Sequence, residues 1–146
     1  MGGTMISTIA VGTDGSGTAT EAVRMAADLA RRFGAKLVLV SAFQRSGGAA
    51  VNRRSASVEL QWAANTSAQL REILARSEAD LRGEAIDCST LVDEGDPAEV
   101  LVRLATECGA DLLVIGSKGM HRRVLGSVPN TVTHKAPCSV LVVKTT

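Results

Sequence analysis

The amino-acid sequence predicts an α/β fold, a doubly wound parallel sheet within a single domain. Three observations carry that expectation. Short apolar, β-branched runs alternate along the chain with segments of helical periodicity. Most of these runs are apolar on nearly every residue, the pattern of strands covered on both faces rather than one. Two glycine-rich turns directly follow strand candidates, and ligands of open parallel sheets bind beyond the carboxyl ends of strands, where the strand order reverses.

The strand candidates are the runs at 6–11, 36–42, 111–115 and 139–143, with a weaker one at 86–92. Residues 1–4 read as a disordered lead-in. Between the first two runs, Ala19, Ala22, Val23, Ala26, Ala30 and Phe33 recur at helical spacing, with Thr18 and Glu21 as a capping box and Gly34 as a stop. The segment 44–55 contains Gly47, Gly48 and Asn52 and reads as a mobile connection. Leu70, Ile73, Leu74, Ser77 and Leu81 form a narrower stripe, which predicts a second helix from near 57 to near 82. Asp96, Pro97 and Glu99 supply a cap, a first-turn proline and a reciprocal cap for a third helix that Gly109 ends, with Ala98, Leu101, Val102, Ala105 and Cys108 as its buried face. A last short helix over Ser127–Lys135 stops before Ala136 and Pro137. The order is βαβαβαβαβ, and strands alternating with helices call for right-handed crossovers.

At 146 residues the chain is long enough for one domain with a proper core. Sixteen Lys and Arg face fifteen Asp and Glu, a formal charge of +1, so no global field draws the protein to nucleic acid or anionic lipid. Phe33, Phe43 and Trp62 are the only aromatic residues, too few for a series of stacking platforms, and nucleic-acid binding is set aside. No run approaches the ~20 apolar residues that span a bilayer, and the start lacks a signal-peptide pattern. Cys88, Cys108 and Cys138 form an odd set with no C-x-x-C pair, which fits reduced thiols and a cytoplasmic location better than a disulfide framework or a zinc site.

The chemistry concentrates in the loops. The first strand runs into Gly12, Thr13, Asp14, Gly15, Ser16 and Gly17, and the fourth into Gly116, Ser117, Lys118 and Gly119. Gly126 and Ser127 then open the last helix, where unpaired N–H groups and the positive end of the helix dipole attract an anion. Glycine permits positive φ and close approach of N–H groups to phosphate oxygens, and Ser127 adds a hydroxyl. Lys118, Arg122 and Arg123 are placed to neutralise part of a polyphosphate. Asp14 suits ribose hydroxyls or a phosphate-bound Mg²⁺, although bracing the turn or capping the first helix is the commoner work of such a residue. His121 and His134 have no nucleophile or metal-ligand partner by spacing, and Ser127 lacks the G-x-S-x-G elbow, so no catalytic residue is assigned. Neither G-x-x-x-x-G-K-[ST] nor G-x-G-x-x-G occurs.

The motifs V-G-T-D-G-S at 11–16, I-G-S-K-G at 115–119, L-G-S-V-P at 125–129 and A-P-C-S-V-L-V-V at 136–143 occur in the order seen in the ATP-binding branch of the universal stress protein family, which the chain resembles from 6 to 144. The resemblance implies a sandwich of the adenine nucleotide alpha hydrolase-like, Rossmann-like kind with strand order 3-2-1-4-5. It implies that Thr13 and Asp14 face the nucleotide, that main-chain groups near Ala42 and Ile115 read or flank adenine, and that Gly116, Gly119, Gly126, Ser127 and Val128 hold ribose and phosphates. It also implies a homodimer paired through the last strand, Ser139–Val143, an apolar run that otherwise leaves an open sheet edge.

The chain departs from that family pattern in one place. Six residues, 120–125, separate Gly119 from Gly126, where the ATP-binding pattern has nine. The tighter loop leaves ATP, ADP, AMP and cyclic AMP all open as ligands. The function expected is a nucleotide-dependent regulatory module in a stress response, with a slow ATPase or self-phosphorylating enzyme and a dimeric interaction scaffold without nucleotide as the alternatives.

Overall fold

A computed structural model describes residues 6–14, 17–43, 67–117 and 127–145. Five parallel strands form one sheet: β1 (Thr8–Gly12), β2 (Lys36–Phe43), β3 (Cys88–Glu94), β4 (Leu112–Gly116) and β5 (Ser139–Val143). Their spatial order is β3-β2-β1-β4-β5, so β1 lies between β2 and β4. The described helices are α1 (Gly17–Phe33), α2 (Ser67–Gly83), α3 (Pro97–Glu107) and α4 (Ser127–Lys135). The predicted start of the second helix near residue 57 and the connection at 44–55 lie outside the described residues.

Alternation along each strand divides the core in two. Ile9 and Val11 of β1, with Leu37, Leu39 and Val114, pack against Ala22, Ala26 and Ala30 of α1 and Leu70 and Leu74 of α2. Ala10, Val38, Val40, Leu113 and Ile115 project to the other face, against Leu101 and Leu104 of α3 and Val128 and Val132 of α4. The apolar character of β1, β2 and β4 on nearly every residue thus has its predicted cause. The run at 139–143 behaves otherwise: β5 is an edge strand, and Val140, Leu141 and Val142 are half-buried in this chain.

Helix ends follow local chemistry. Gly34 (φ +66°) and Gly109 (φ +67°) sit in the left-handed region that ends α1 and α3, where Ala35 N–H reaches Ala30 O and Ala110 N–H reaches Ala105 O. Asp96 accepts from Glu99 N–H at 3.2 Å with Pro97 opening α3, as its sequence predicts. Two expectations about helix faces are corrected. Phe33 is exposed, because α1 ends there, beyond the strands beneath it. Ala98, Leu101 and Ala105 are buried as expected, together with Val100 and Leu104, while Val102 and Cys108 are only half-buried, because α3 packs on the sheet with α4 at its side rather than on the sheet alone.

Asp111 fixes the amino-terminal end of the sheet. Its carboxylate accepts from Ser7 N–H at 2.9 Å, Ser7 Oγ–H at 3.1 Å and Thr8 N–H at 3.0 Å, joining the entries to β1 and β4. The two main-chain donors and the hydroxyl hold its pKa below the ordinary aspartate value. A carboxylate depressed in the folded state contributes stability above its unfolded pKa and loses it as pH falls. In urea titrations, wild type should therefore exceed Asp111→Asn at pH 7, and the gap should close below about pH 4. A gap independent of pH would show that these bonds do not select the ionised form.

Candidate functional site

The strand order reverses between β1 and β4. α1, which follows β1, packs on one face of the sheet, and α4, which follows β4, on the other. Crossovers to opposite faces at such a reversal of strand order open a crevice beyond the carboxyl ends of the two strands. Val11 pairs with Val114, so continuing the register two residues sets Thr13 level with Gly116. The glycine-rich turns at 12–17 and 116–119, separated by a hundred residues in sequence, thus begin side by side.

The β1 exit is well secured. Thr13 and Asp14 are buried, Thr13 N–H donates to Val40 O at 3.0 Å, and the Ser41 hydroxyl donates to Thr13 O at 2.5 Å. Ala42 is buried next along β2, on the flank of the same crevice. At the β4 exit, Ile115 is buried, Ser117 N–H donates to Val143 O at 2.8 Å, and Thr145 N–H donates to Ser117 Oγ at 3.1 Å. A helix joining parallel strands runs antiparallel to them, so α4 opens at this end of the sheet, with Ser127 exposed and Val128 buried beneath it.

The structure therefore brings Thr13, Asp14, Ala42, Ile115 and Gly116 to one edge, with the amino end of α4, Ser127 and Val128, at the same end of the sheet. Lys118, Gly119, Arg122, Arg123 and Gly126 lie outside the described residues, as do His121 and Trp62. The reason for glycine differs from the sequence argument at two positions. Gly12 and Gly116 do not take positive φ; each leaves room for a neighbour. A Cβ on Gly12 would stand 3.1 Å from Leu101 Cδ1, and one on Gly116 would stand 3.1 Å from Thr145 Cγ2.

Ser41 and Thr145 are structural residues of this edge that the sequence reading missed. Ser41 had a visible signal, a lone hydroxyl inside an otherwise apolar strand, because a buried hydroxyl needs a partner. Thr145 departs from that rule. Its Oγ1 is buried against Gly116 with no hydrogen-bond partner among the described residues. Thr145→Val keeps the shape and removes the orphan, so it should raise the unfolding free energy by about 1 kcal/mol, as read by chemical denaturation. A loss would mean that the hydroxyl is satisfied in solution.

Other chemistry is sparse. Burial pushes the Cys88 thiol up to about 11 and raises those of Cys108 and Cys138, so none is an activated nucleophile. Among the described residues no group of three His, Cys, Asp or Glu side chains is placed to hold a metal ion, and no helix is long and apolar enough to cross a membrane. A cavity of about 560 Å³ lies at the opposite end of the sheet, where its one acidic side chain, Asp111, is engaged with Ser7 and Thr8.

Comparison with known proteins agrees with this architecture. The profile of the Universal stress protein family matches residues 5–144. The chain belongs to the universal stress protein family. A family member from Mycobacterium tuberculosis is 37% identical over 147 aligned positions, covering 95% of this chain and 97% of the relative. A putative member from Staphylococcus haemolyticus is 31% identical, covering 94% of this chain and 84% of the relative. Among solved structures, a universal stress protein in complex with cAMP superposes with a TM-score of 0.75 at 32% identity, over 97% of this chain and 99% of the other. The Archaeoglobus fulgidus family member in complex with dAMP gives 0.68 at 25% identity, over 94% and 98%. The five-stranded parallel sheet of order 3-2-1-4-5 is thus the fold of the family.

Proposed function

We propose that this universal stress protein domain is a regulatory module that binds an adenine nucleotide in the crevice between the ends of β1 and β4. The observation that carries the reading is the β1–β4 register, Val11 opposite Val114, which brings the turn after β1 beside the start of the loop after β4. It aligns an acidic, hydroxyl-bearing turn with the start of a glycine loop, at the end of the sheet where a helix opens. In this reading Asp14 and Thr13 take ribose, Ala42 and Ile115 flank adenine, and Gly116, Gly119, Gly126, Ser127 and Val128 hold the phosphate. Lys118, Arg122 and Arg123 supply positive charge to it. Relatives solved with cAMP and dAMP support a monophosphate, and so does the loop of six residues at 120–125, which offers less main chain to wrap a triphosphate. ATP is the competing ligand, with Mg²⁺ carried on its phosphates beside Asp14.

The half-buried edge of β5 supports pairing with a second copy, which would cover Val140, Leu141 and Val142. Reduced thiols fit a cytoplasmic protein. Calorimetric titration of nucleotide-free protein with ATP, ADP, AMP and cyclic AMP, each with and without Mg²⁺, tests the function. AMP or cyclic AMP should bind most tightly, and Gly126→Val should abolish binding by placing a branched side chain in the phosphate cradle. Absence of binding by all four would leave an interaction scaffold without nucleotide.

A further inference from the structure

The chain leaving β4 is tied to the chain leaving β5 through one side chain. Gly116 of β4 lies opposite Val143 of β5, and the ladder runs one rung beyond it, with Ser117 N–H on Val143 O at 2.8 Å. In a regular parallel ladder, a residue that donates to one carbonyl of the neighbouring strand accepts, at its own carbonyl, from the N–H two positions further on. Here that N–H belongs to Thr145. It goes instead to the Ser117 hydroxyl oxygen at 3.1 Å, in a buried bond. Ser117 and Thr145 are each only 2% exposed, so water does not compete for this rung.

We propose that Ser117 is a positioning residue of the nucleotide site: its hydroxyl takes the rung that its own carbonyl would otherwise fill, ends the β4–β5 ladder there and fixes the point beside Gly116 at which the chain leaves the sheet. The inference rests on the nucleotide-binding reading, in which Gly116 is among the groups that hold the phosphate. A side-chain oxygen that replaces a main-chain one lets the backbone turn out of the sheet without stranding the Thr145 donor. Without the hydroxyl, that N–H is buried with no acceptor, and the desolvation it suffered on burial is left uncompensated. The carbonyl of residue 117 is the acceptor that the ladder offers in its place. Taking it lengthens β4–β5 by a rung and draws the chain after Gly116 towards β5, which lies on the far side of β4 from β1 and so from the crevice. Ligands held through a phosphate therefore lose most. Adenosine, placed in that reading by Thr13, Asp14, Ala42 and Ile115, loses least.

The test measures dissociation constants for AMP and adenosine by calorimetry, well below each variant's melting temperature and beside wild type. Ser117→Ala removes the acceptor and adds no bulk. It should weaken AMP by at least about tenfold, the scale of one charge-assisted hydrogen bond, while adenosine changes by less than about threefold. A smaller loss for AMP, with only the melting temperature altered, would overturn the proposal, and so would an equal loss for adenosine. Thr145→Pro supplies the second arm, because proline has no N–H to strand. In a Thr145→Pro background the alanine at 117 has no donor to satisfy, so adding Ser117→Ala should change AMP affinity by less than about threefold. An undiminished tenfold loss in that background would show that the hydroxyl acts by some route other than Thr145, and would equally overturn the proposal. Failure of wild type to bind either ligand would instead bring down the nucleotide-binding reading itself, and this proposal with it.

Discussion

Leu101→Ala is expected to lower the unfolding free energy by about 3 kcal/mol, measured by denaturant titration. Leu101 is fully buried at the centre of the α3 and α4 face, in one cluster with Ala10, Val40, Ile115, Val128 and Val132. Its truncation removes apolar contacts and leaves a cavity between the sheet and α3 that these neighbours refill only in part. The same side chain lies under the end of β1, so the cavity opens directly beneath the turn that carries Thr13 and Asp14. Nucleotide affinity should weaken along with stability. A stability loss under about 1 kcal/mol would show that α3 collapses onto the sheet.

Gly12→Val is expected to cost about 1–3 kcal/mol and to weaken nucleotide binding in the folded fraction. The new Cβ would meet Leu101 Cδ1 at 3.1 Å and Leu101 Cδ2 at 3.3 Å, with Ile115 Cγ2 at 3.4 Å. Two further methyl groups then have no space between β1 and α3. Relief by moving the end of β1 displaces Thr13 and Asp14, whereas relief by moving Leu101 strains the core. The partner of the clash is specific, which gives a stricter test. In a Leu101→Ala background the added methyl groups enter the vacated volume, so the double variant should lose less than the sum of the two single losses. Strict additivity would place the Gly12 effect in backbone conformation.

Several features were legible in the sequence because each is decided within a few residues. The caps at Asp96 and the stops at Gly34 and Gly109 depend only on side chains and φ angles of adjacent positions. The limits of Ser127–Lys135 and Ser139–Val143 agree with the sequence expectation for the same reason, since Pro137 and its neighbours bound both. Phe33 fits a helical stripe yet is exposed, because periodicity assigns a face without saying how far the sheet extends beneath it. On α3 the expected Ala98, Leu101 and Ala105 are buried, but Val100 and Leu104 rather than Val102 and Cys108 complete the face, since its second neighbour, α4, is remote in sequence.

The sequence by itself determined the alternation of strands and helices, their local ends, and the glycine-rich turns with Asp14 and Ser127 among them. Its motifs, through their resemblance to the universal stress proteins, implied the strand order. Tertiary structure alone decided which groups meet at the crevice: the register of Val11 with Val114, the grip of Ser41 on Thr13 O, and the packing of Thr145 on Gly116. The physical reason is range. Periodicity and capping arise from backbone geometry repeated every two to four residues. Contacts such as Ser41 with Thr13, or Ser117 with Thr145, join segments 28 positions apart, and only sheet register and core packing fix them to within a hydrogen-bond length.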